Sequence, residues 1–194
     1  MKKIIITAAI ALASAGAATS ANAQDISYYT GLGVGTINTE HKAAGVDQTA
    51  TTFGGYAKFG ADFNEYFAAE LRLGMSGKNK KTYAGNNTLT YSSPLFVSYL
   101  AKAKYPVTSN IDLFMLAGAT TARIKGTSNA ATQTKTKTGM SVGAGVDYKI
   151  NSNVSIGADW MQYMFPVKMT AGSVFLADSK ARIWGLTTNI AYHF

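Results

Sequence analysis

The sequence predicts an all-β fold, an eight-stranded antiparallel up-and-down transmembrane β-barrel. Three observations predict it: an export signal at the N-terminus, three short turn signals at even spacing, and runs that alternate between an apolar and a polar face. The alternation is longest at 183–194, where most even-numbered residues from Trp184 to Phe194 are apolar. A period of two over this length is typical of a strand and excludes a helical stripe.

Residues 1–23 have the three parts of a secretory signal. Two lysines precede an apolar run at 4–18, and an Ala-x-Ala pattern at 21–23 precedes Gln24. We expect cleavage after residue 23, which makes 24–194 a single barrel domain. A retained membrane anchor is the alternative, but Thr and Ser residues interrupt the apolar run. The chain contains no cysteine, so neither a disulfide nor a lipid-modified cysteine is expected.

Short turns alternate with long polar segments along the chain. The turn signals are centred about 44 residues apart, at 62–65, 106–110 and 151–153. The alternating runs beside them predict strands at 27–37, 51–62, 66–76, 91–105, 111–124, 138–150, 154–165 and 181–194. Longer loops are expected at 38–50, 77–90, 125–137 and 166–180. This asymmetry is typical of membrane barrels, whose short turns face the periplasm and whose longer loops lie outside.

The apolar face of the strands is distinguished by its aromatic residues. A soluble lipocalin-type barrel would also alternate, with its apolar face turned inward. On the up-and-down order, however, seven aromatic residues of the apolar face fall at one height near the turns: Tyr28, Phe59, Phe67, Tyr105, Tyr148, Tyr192 and Phe194. Phe53 and Trp184 fall near the opposite end. Such belts are typical of a membrane boundary, so we expect the apolar face to contact lipid.

Ten charged residues fall on the polar face and form a predicted lumen charge network. They are Lys58, Arg72, Lys102, Lys104 and Lys149, with Asp62, Glu70, Asp112, Asp147 and Asp159. Each basic group facing lipid near mid-membrane would cost ~2–4 kcal/mol, so these residues are expected to face inward and to pair. If the first turn has three residues, Lys58 lies opposite Glu70, and across the second hairpin Lys104 can lie opposite Asp112. Two interpretations stay open, a structural plug of salt bridges, which we favour, and a gate or ion path.

Apolar residues are also expected on the inner face, so the lumen is predicted to be filled. They are Phe96, Leu100, Phe114, Leu116, Met161 and Phe165. Glycines share the polar face with these residues and with the charges. A barrel of eight strands has room inside only for small or interlocking side chains, which agrees with this composition.

The end of the barrel opposite the turns is predicted to be basic. The formal net charge of +8 falls to +6 after loss of the signal, and the inner face balances, so the surplus lies in the long loops. Candidate contact residues there are Lys78, Lys80, Lys81, Lys135, Lys137, Lys168 and Phe175. Anionic sugars, lipopolysaccharide phosphates or an acidic host surface partner would suit such a surface. Alternatively, these lysines bind the phosphates of the outer leaflet.

Two of the expected loops carry strand-like patterns. Residues 132–138 alternate with threonine, and residues 167–176 form an extended stretch with an apolar tip at Phe175. Protruding strand edges are contact sites for other proteins. The alternative for both segments is a disordered loop. Nucleic-acid binding is not expected, because no helix, aromatic platform or phosphate loop accompanies the charge.

Several segments resemble the small outer-membrane β-barrel proteins of the OmpA transmembrane-domain, OmpX and opacity-protein type, also called the porin family. The resemblance is carried by the segments 29–35, 143–150, 153–160 and 190–194, in this order and spacing. It implies a location in the bacterial outer membrane and roles in membrane integrity, adhesion or slow solute passage. It also implies that the assembly machinery of that membrane reads a terminal signal, here Leu186, Ile190, Tyr192 and Phe194.

No catalytic, cofactor or metal site is expected. His41 and His193 are the two histidines, and His193 has no catalytic serine near it in sequence. No metal-ligand spacing, nucleophile elbow or phosphate-binding glycine loop is present. The leading hypothesis is therefore a non-enzymatic, monomeric outer-membrane barrel with a structural or adhesin-like role through its basic outer end. The alternatives are a narrow small-solute porin and, less favoured, a lipid-modifying enzyme.

Overall fold

The computed structural model describes residues 26–43, 46–82, 88–127, 132–168 and 180–194. These residues form one antiparallel sheet with strands β1 (Ser27–Ala43), β2 (Val46–Asp62), β3 (Phe67–Ser76), β4 (Lys78–Thr82), β5 (Thr88–Pro106), β6 (Ile111–Thr127), β7 (Thr132–Lys149), β8 (Val154–Lys168) and β9 (Lys180–His193). The described part of the chain has no helix long and apolar enough to cross a membrane. The predicted signal at 1–23 lies outside the described residues.

The sheet closes on itself, and the predicted eight-stranded barrel is confirmed. Neighbouring strands follow the order β3-β2-β1-β9-β8-β7-β6-β5-β4, and β3 also pairs with β5. Because β3 and β4 pair with successive parts of β5, they are two halves of one wall strand that is interrupted at Gly77. The wall therefore has eight positions around its circumference.

The three short turns lie where the sequence predicts them. In each turn, one side chain accepts hydrogen bonds from two backbone N–H groups. The Oδ1 atom of Asn64 accepts from the N–H groups of Tyr66 and Phe67, at 2.8 and 2.7 Å. Thr108 and Asn151 do the same in the other two turns. This end of the barrel is called the turn end below, and the opposite end the far end.

The strands continue into the predicted loops at the far end wherever the structure describes them, so the predicted loop bounds are wrong there. The pairing of β1 with β2 runs without a break to Ala43 opposite Val46. Residues 78–82, 125–127, 132–137 and 166–168 are also in strands. The strand predicted at 132–138 is confirmed as the start of β7. Of the stretch at 167–176, the structure describes 167–168, which end β8, whereas Phe175 lies outside the described residues.

The wall divides into two groups of strands toward the far end. The pairing of β7 with β8 extends only from Lys149 up to Val142, and that of β2 with β3 only from Asp62 up to Gly54. Beyond these positions, the described pairings join β8, β9, β1 and β2 into one group and β4, β5, β6 and β7 into the other. The ribbon of β6 and β7 therefore has strand β7 at its edge from 132 to 141 in the described pairings.

The apolar face lies on the outside, as predicted. All seven aromatic residues of the predicted ring are exposed, and so is Phe53 near the other end. In β3 the burial alternates residue by residue, so that Glu70 and Arg72 are buried and Leu73 and Met75 are exposed. An apolar outer belt around a polar, buried interior is the arrangement that lipid requires.

Candidate functional site

The charged residues of the lumen form ion pairs across several strands. Arg72 contacts Glu70 at 2.6 Å and Asp159 at 2.9 Å, and Lys102 contacts Asp147 at 2.6 Å. Nearer the turn end, Lys104 contacts Asp62 at 2.5 Å and Lys149 contacts Asp112 at 2.9 Å. Lys149 is half-exposed at the rim, whereas the other charged groups are largely buried. Three of these pairs join strands that share no backbone hydrogen bonds: β3 with β8, β5 with β7, and β5 with β2.

Arg72 lies at the centre of the network, and its acidic partners have further donors. Tyr29 donates its hydroxyl to Glu70 Oε2 at 2.6 Å, and Tyr56 donates to Asp159 Oδ2 at 2.9 Å. The guanidinium of Arg72 lies over the ring of Tyr56, 4.4 Å from its centroid. A buried charge is stable only where hydrogen bonds satisfy it, and both carboxylates meet this condition.

Both predicted cross-strand pairs are wrong, because each turn is two residues longer than assumed. Lys58 lies opposite Arg72 in the register, and its Nζ donates to the Oδ1 atom of Asn189 at 2.6 Å. Lys104 lies opposite Phe114 and pairs with Asp62 instead of Asp112. A shift of two residues leaves every side chain on its face but changes every partner.

Apolar and aromatic side chains also fill the lumen, from the level of the charge network, where Phe114 lies opposite Lys104, toward the far end. The buried members of this apolar layer are Ile37, Tyr56, Phe96, Leu100, Phe114, Leu116, Ala122, Met161, Tyr163, Met164 and Ile183. The rings of Phe96 and Tyr163 lie 4.8 Å apart at their centroids. The hydroxyls of Ser98, Thr120 and Ser141 form a chain of 2.7 Å hydrogen bonds beside them. The described lumen is thus filled by side chains along both of its halves.

Aromatic rings occupy the space that glycines leave on the inner face. A methyl group on Gly60 would overlap the ring of Tyr29, and one on Gly74 would overlap the ring of Phe96. The glycines therefore allow large rings to lie flat against the wall. This interlocking explains why the polar face carries so many glycines.

A β-bulge in β8 changes which residues face inward. Gln162 lies opposite Trp184 and Met164 opposite Ile183, so Tyr163 is an extra residue without a partner in β9. The bulge reverses the alternation beyond it, and Phe165 is 45% exposed. The prediction that Phe165 faces the lumen is therefore wrong, and Tyr163 takes its place inside. The other five predicted apolar inner residues are buried.

A polar cluster beside this bulge was not predicted from the sequence. Gln162 donates to the carbonyl oxygens of Met164 and Ile183, and its Oε1 accepts from Nε and Nη2 of Arg182 at 2.9 and 2.7 Å. Trp184 donates to Glu40 Oε1 at 2.8 Å. Arg182 and Trp184 lie on the outer face of β9, in line with exposed Leu186. The sequence signal that could have revealed the cluster is the charged residue Arg182 at the end of this apolar face.

In the structure, a serine and an aspartate lie beside His193, although both are far from it in the sequence. Ser155 Oγ lies 3.0 Å from Nε2 of His193, and Asp62 Oδ2 lies 3.8 Å from Nδ1. However, Ser155 is buried, and the second contact exceeds hydrogen-bond distance. Asp62 is also engaged by Lys104. The arrangement lacks the access and the oriented base that a nucleophilic serine requires.

The candidate contact residues at the far end lie on strands where they are described. Lys78, Lys80 and Lys81 belong to β4, opposite Ser92, Thr90 and Leu89. Lys137 and Lys135 belong to β7, opposite buried Ala122 and Ile124, and Lys168 ends β8. Exposed Arg123 and Lys125 lie on the other face of the same β6–β7 ribbon.

The terminal segment closes the barrel against the first strand. The N–H of Phe194 donates to the carbonyl oxygen of Tyr28 at 2.9 Å, and the rings of Tyr192 and Phe194 meet edge to face. All four residues of the predicted assembly signal, Leu186, Ile190, Tyr192 and Phe194, are exposed on the outer face. The described residues contain no group of three or more side chains that could hold a metal ion.

A closed antiparallel barrel with an apolar outer belt and an ionic interior defines an integral outer-membrane β-barrel protein. Residues 6–194 match the family model described as outer membrane protein beta-barrel domain, and the chain belongs to that family. Its location is the bacterial outer membrane. The turn end then faces the periplasm and the far end the cell exterior.

Several solved structures share this fold. Ail, the attachment invasion locus protein of Yersinia pestis, solved in complex with the heparin analogue sucrose octasulfate, is 17% identical with a TM-score of 0.53, over 86% of this chain and 99% of that chain. Neisserial surface protein A is 17% identical with a TM-score of 0.57, over 86% and 97%. OprG from Pseudomonas aeruginosa is 13% identical with a TM-score of 0.56, over 87% and 95%. No curated protein sequence matches this chain significantly.

Proposed function

We propose that this protein, after removal of residues 1–23, is a non-enzymatic outer-membrane barrel that makes adhesin-like contacts with anionic surfaces through its basic outer end. The observation that carries the proposal is the contrast between the two charged regions. Inside, five basic and five acidic residues balance, and side chains fill the lumen. A filled, balanced lumen favours a structural plug, so the functional surface is sought outside.

The outer end is rich in unbalanced positive charge. Eleven basic residues of the mature chain lie there by sequence and topology: Lys42, Lys78, Lys80, Lys81, Arg123, Lys125, Lys135, Lys137, Lys168, Lys180 and Arg182. Three acidic residues, Glu40, Asp47 and Asp178, oppose them. A surface of this charge attracts anionic partners over about a Debye length and speeds their association.

The ribbon of β6 and β7 is the best-described part of this surface. Arg123 and Lys125 are exposed on one face, and Lys135 and Lys137 are partly exposed on the other. The ribbon therefore presents positive charge on both faces, and β7 supplies an edge strand. Lysine and arginine side chains clustered in this way attract extended anionic partners. The complex of the similarly folded Ail with a sulfated sugar analogue supports a sulfated glycan as the partner class.

A binding experiment with heparin and sucrose octasulfate tests this proposal. The variant R123Q/K125Q/K135Q/K137Q in a detergent-refolded barrel should bind at least about tenfold more weakly, and binding of the parent should fall with added salt. Lys149→Gln is the matched control, since Lys149 is an exposed lysine at the periplasmic rim. Equal weakening by both variants, or no binding by the parent protein, would refute the proposal.

We propose further that Leu186, Ile190, Tyr192 and Phe194 form the signal that the assembly machinery reads. Their exposure on one face, with the ring of Phe194 unburied, supports this role. Phe194→Ala should lower the amount of barrel inserted in the outer membrane without changing refolding in detergent. Normal insertion in cells would contradict it.

A further inference from the structure

We infer that Arg182 and Lys180, on the outer wall formed by β8, β9 and β1, bind the phosphate group of an outer-leaflet lipid headgroup. The inference uses the outer-membrane location but is independent of the proposed contact with soluble polyanions. It assigns a role to the polar cluster at the β8 bulge, which neither the lumen nor the β6–β7 ribbon explains.

The first argument is the height of the two residues on the wall. On β9 the even-numbered residues face outward, from exposed Tyr192 and Ile190 through Leu186 to Arg182 and Lys180. Ten residues separate Tyr192, in the periplasmic aromatic ring, from Arg182. At about 3.3 Å per residue and a tilt of about 40–45°, this separation is roughly 23–25 Å, which matches the apolar band of about 25 Å. Arg182 therefore lies at the level of the outer-leaflet headgroups.

The second argument is that the guanidinium of Arg182 is held in place yet open. Its Nε and Nη2 atoms both donate to Gln162 Oε1. The Gln162 side chain is itself fixed, because its amide donates to two carbonyl oxygens at the bulge. Nη1 lies 3.5 Å from Glu40 Oε2, and the Arg182 side chain is 39% exposed. A fixed guanidinium with open donors is suited to a phosphate oxygen.

The third argument is an excess of positive charge one step above Arg182. In the register, Lys180 of β9 lies opposite Lys42 of β1 on one side and Lys168 of β8 on the other. Like charges at directly opposed positions destabilise a sheet. In the described pairings, the register places the acidic residue Asp47 opposite Lys42 in the same row. With Arg182 and Glu40 included, two adjacent rows contain four basic and two acidic residues. An anion of charge about −2, such as a phosphate group, would neutralise the two surplus positive charges.

Trp184 completes the site and provides a reporter. It lies one outward position below Arg182, and its indole N–H is held by Glu40 Oε1. Indole side chains favour the boundary between headgroups and hydrocarbon. The chain has two tryptophans, and Trp160 lies lower on the outer wall of β8. In a Trp160→Phe background, the fluorescence of Trp184 therefore reports events at this site.

The test titrates the refolded W160F barrel in detergent micelles with lipid A, with dephosphorylated lipid A and with inorganic phosphate. The parent should respond to lipid A and bind the dephosphorylated lipid at least about tenfold more weakly. R182Q/K180Q should weaken lipid A binding at least about tenfold. R123Q/K125Q, which removes the same charge from the outer face of β6, should change it less than about twofold.

Two further outcomes decide the inference. Glu40→Gln keeps an acceptor for Trp184 but removes a negative charge, so it should bind lipid A more tightly by a few-fold. This variant also keeps the test decisive if R182Q/K180Q fails to refold. Equal weakening by the two double variants would reduce the site to general electrostatics and overturn the inference. The inference would also be overturned if inorganic phosphate gave the same response as lipid A, or if dephosphorylated lipid A bound as tightly as lipid A.

Discussion

Arg72 donates through Nη1 to Asp159 Oδ1 across the lumen at 2.9 Å, and this contact joins strand β3 to strand β8 on the far side of the barrel. Both side chains are fully buried. Because no backbone pairing links these two strands, side-chain bonds of this kind fix the cross-section of the barrel.

We predict that Glu70→Ala destabilises the barrel by about 3–5 kcal/mol. The substitution removes one of the two carboxylates on Arg72 and leaves buried positive charge uncompensated. Equilibrium unfolding of the refolded protein in denaturant measures the change. Glu65→Ala in the exposed first turn is the control and should change stability little. If Glu70→Ala left the stability unchanged and increased the ion conductance, the lumen charge network would act as a gate and not as a structural plug.

We predict opposite outcomes for two tyrosine hydroxyls. Tyr29→Phe should cost about 1.5–3 kcal/mol, because the hydroxyl donates to the buried carboxylate of Glu70. Tyr163→Phe should be neutral or stabilising, because the buried hydroxyl of Tyr163 has no hydrogen-bond partner among the described residues. Denaturant unfolding of both variants provides the comparison. A loss of unfolding free energy for Tyr163→Phe as large as that for Tyr29→Phe would contradict this prediction, because it would require a hydrogen bond to the Tyr163 hydroxyl.

We predict that two opposed aspartates differ in importance. Asp112 and Asp147 lie directly opposite each other on β6 and β7, and each has one buried oxygen without a hydrogen-bond partner in the described part of the chain. Asp112→Asn should be neutral or slightly stabilising, since it relieves like-charge repulsion and loses only a pair with half-exposed Lys149. Asp147→Asn should cost several kcal/mol because Lys102 is buried. Similar losses in unfolding free energy for both would contradict this prediction.

We predict that Gly74→Ala destabilises the barrel by about 1–3 kcal/mol, because its methyl group would overlap the ring of Phe96. Gly77→Ala is the matched control in the same wall strand. Among the described residues, its methyl group would meet the carbonyl oxygen of Phe53, at 3.2 Å, and Thr52 beyond it. Thermal unfolding in detergent should separate the two variants, and equal midpoints would contradict the interlocking of ring and glycine.

Much of this fold could be read from the sequence, because alternation is a local property. The outward rings of Tyr28 and Phe67 and the buried Arg72 follow from parity alone. Partners could not be read in the same way, because they depend on turn length. The backbone N–H groups that Asn64 and Thr108 bind make each turn two residues longer, so Lys58 and Lys104 have other partners than expected.

The bulge at Tyr163 explains the rest of the difference. An extra residue leaves no periodic signal in the sequence, so Phe165 was assigned to the wrong face and the outward cluster around Gln162 was missed. Apart from 132–138, the extensions of the strands at the outer end are not evident from the sequence, for a different reason. Polar and threonine-rich residues there form solvated strands, whose alternation is not between apolar and polar side chains.

Planar-bilayer conductance tests most directly the claim that the lumen is a structural plug. The refolded mature protein should show no steady conductance, and at most rare and small openings, because the charge network around Arg72 and the apolar layer around Phe96 fill the interior. A steady, ion-selective current through the unaltered protein would contradict the account. It would move the functional site from the outer surface into the barrel.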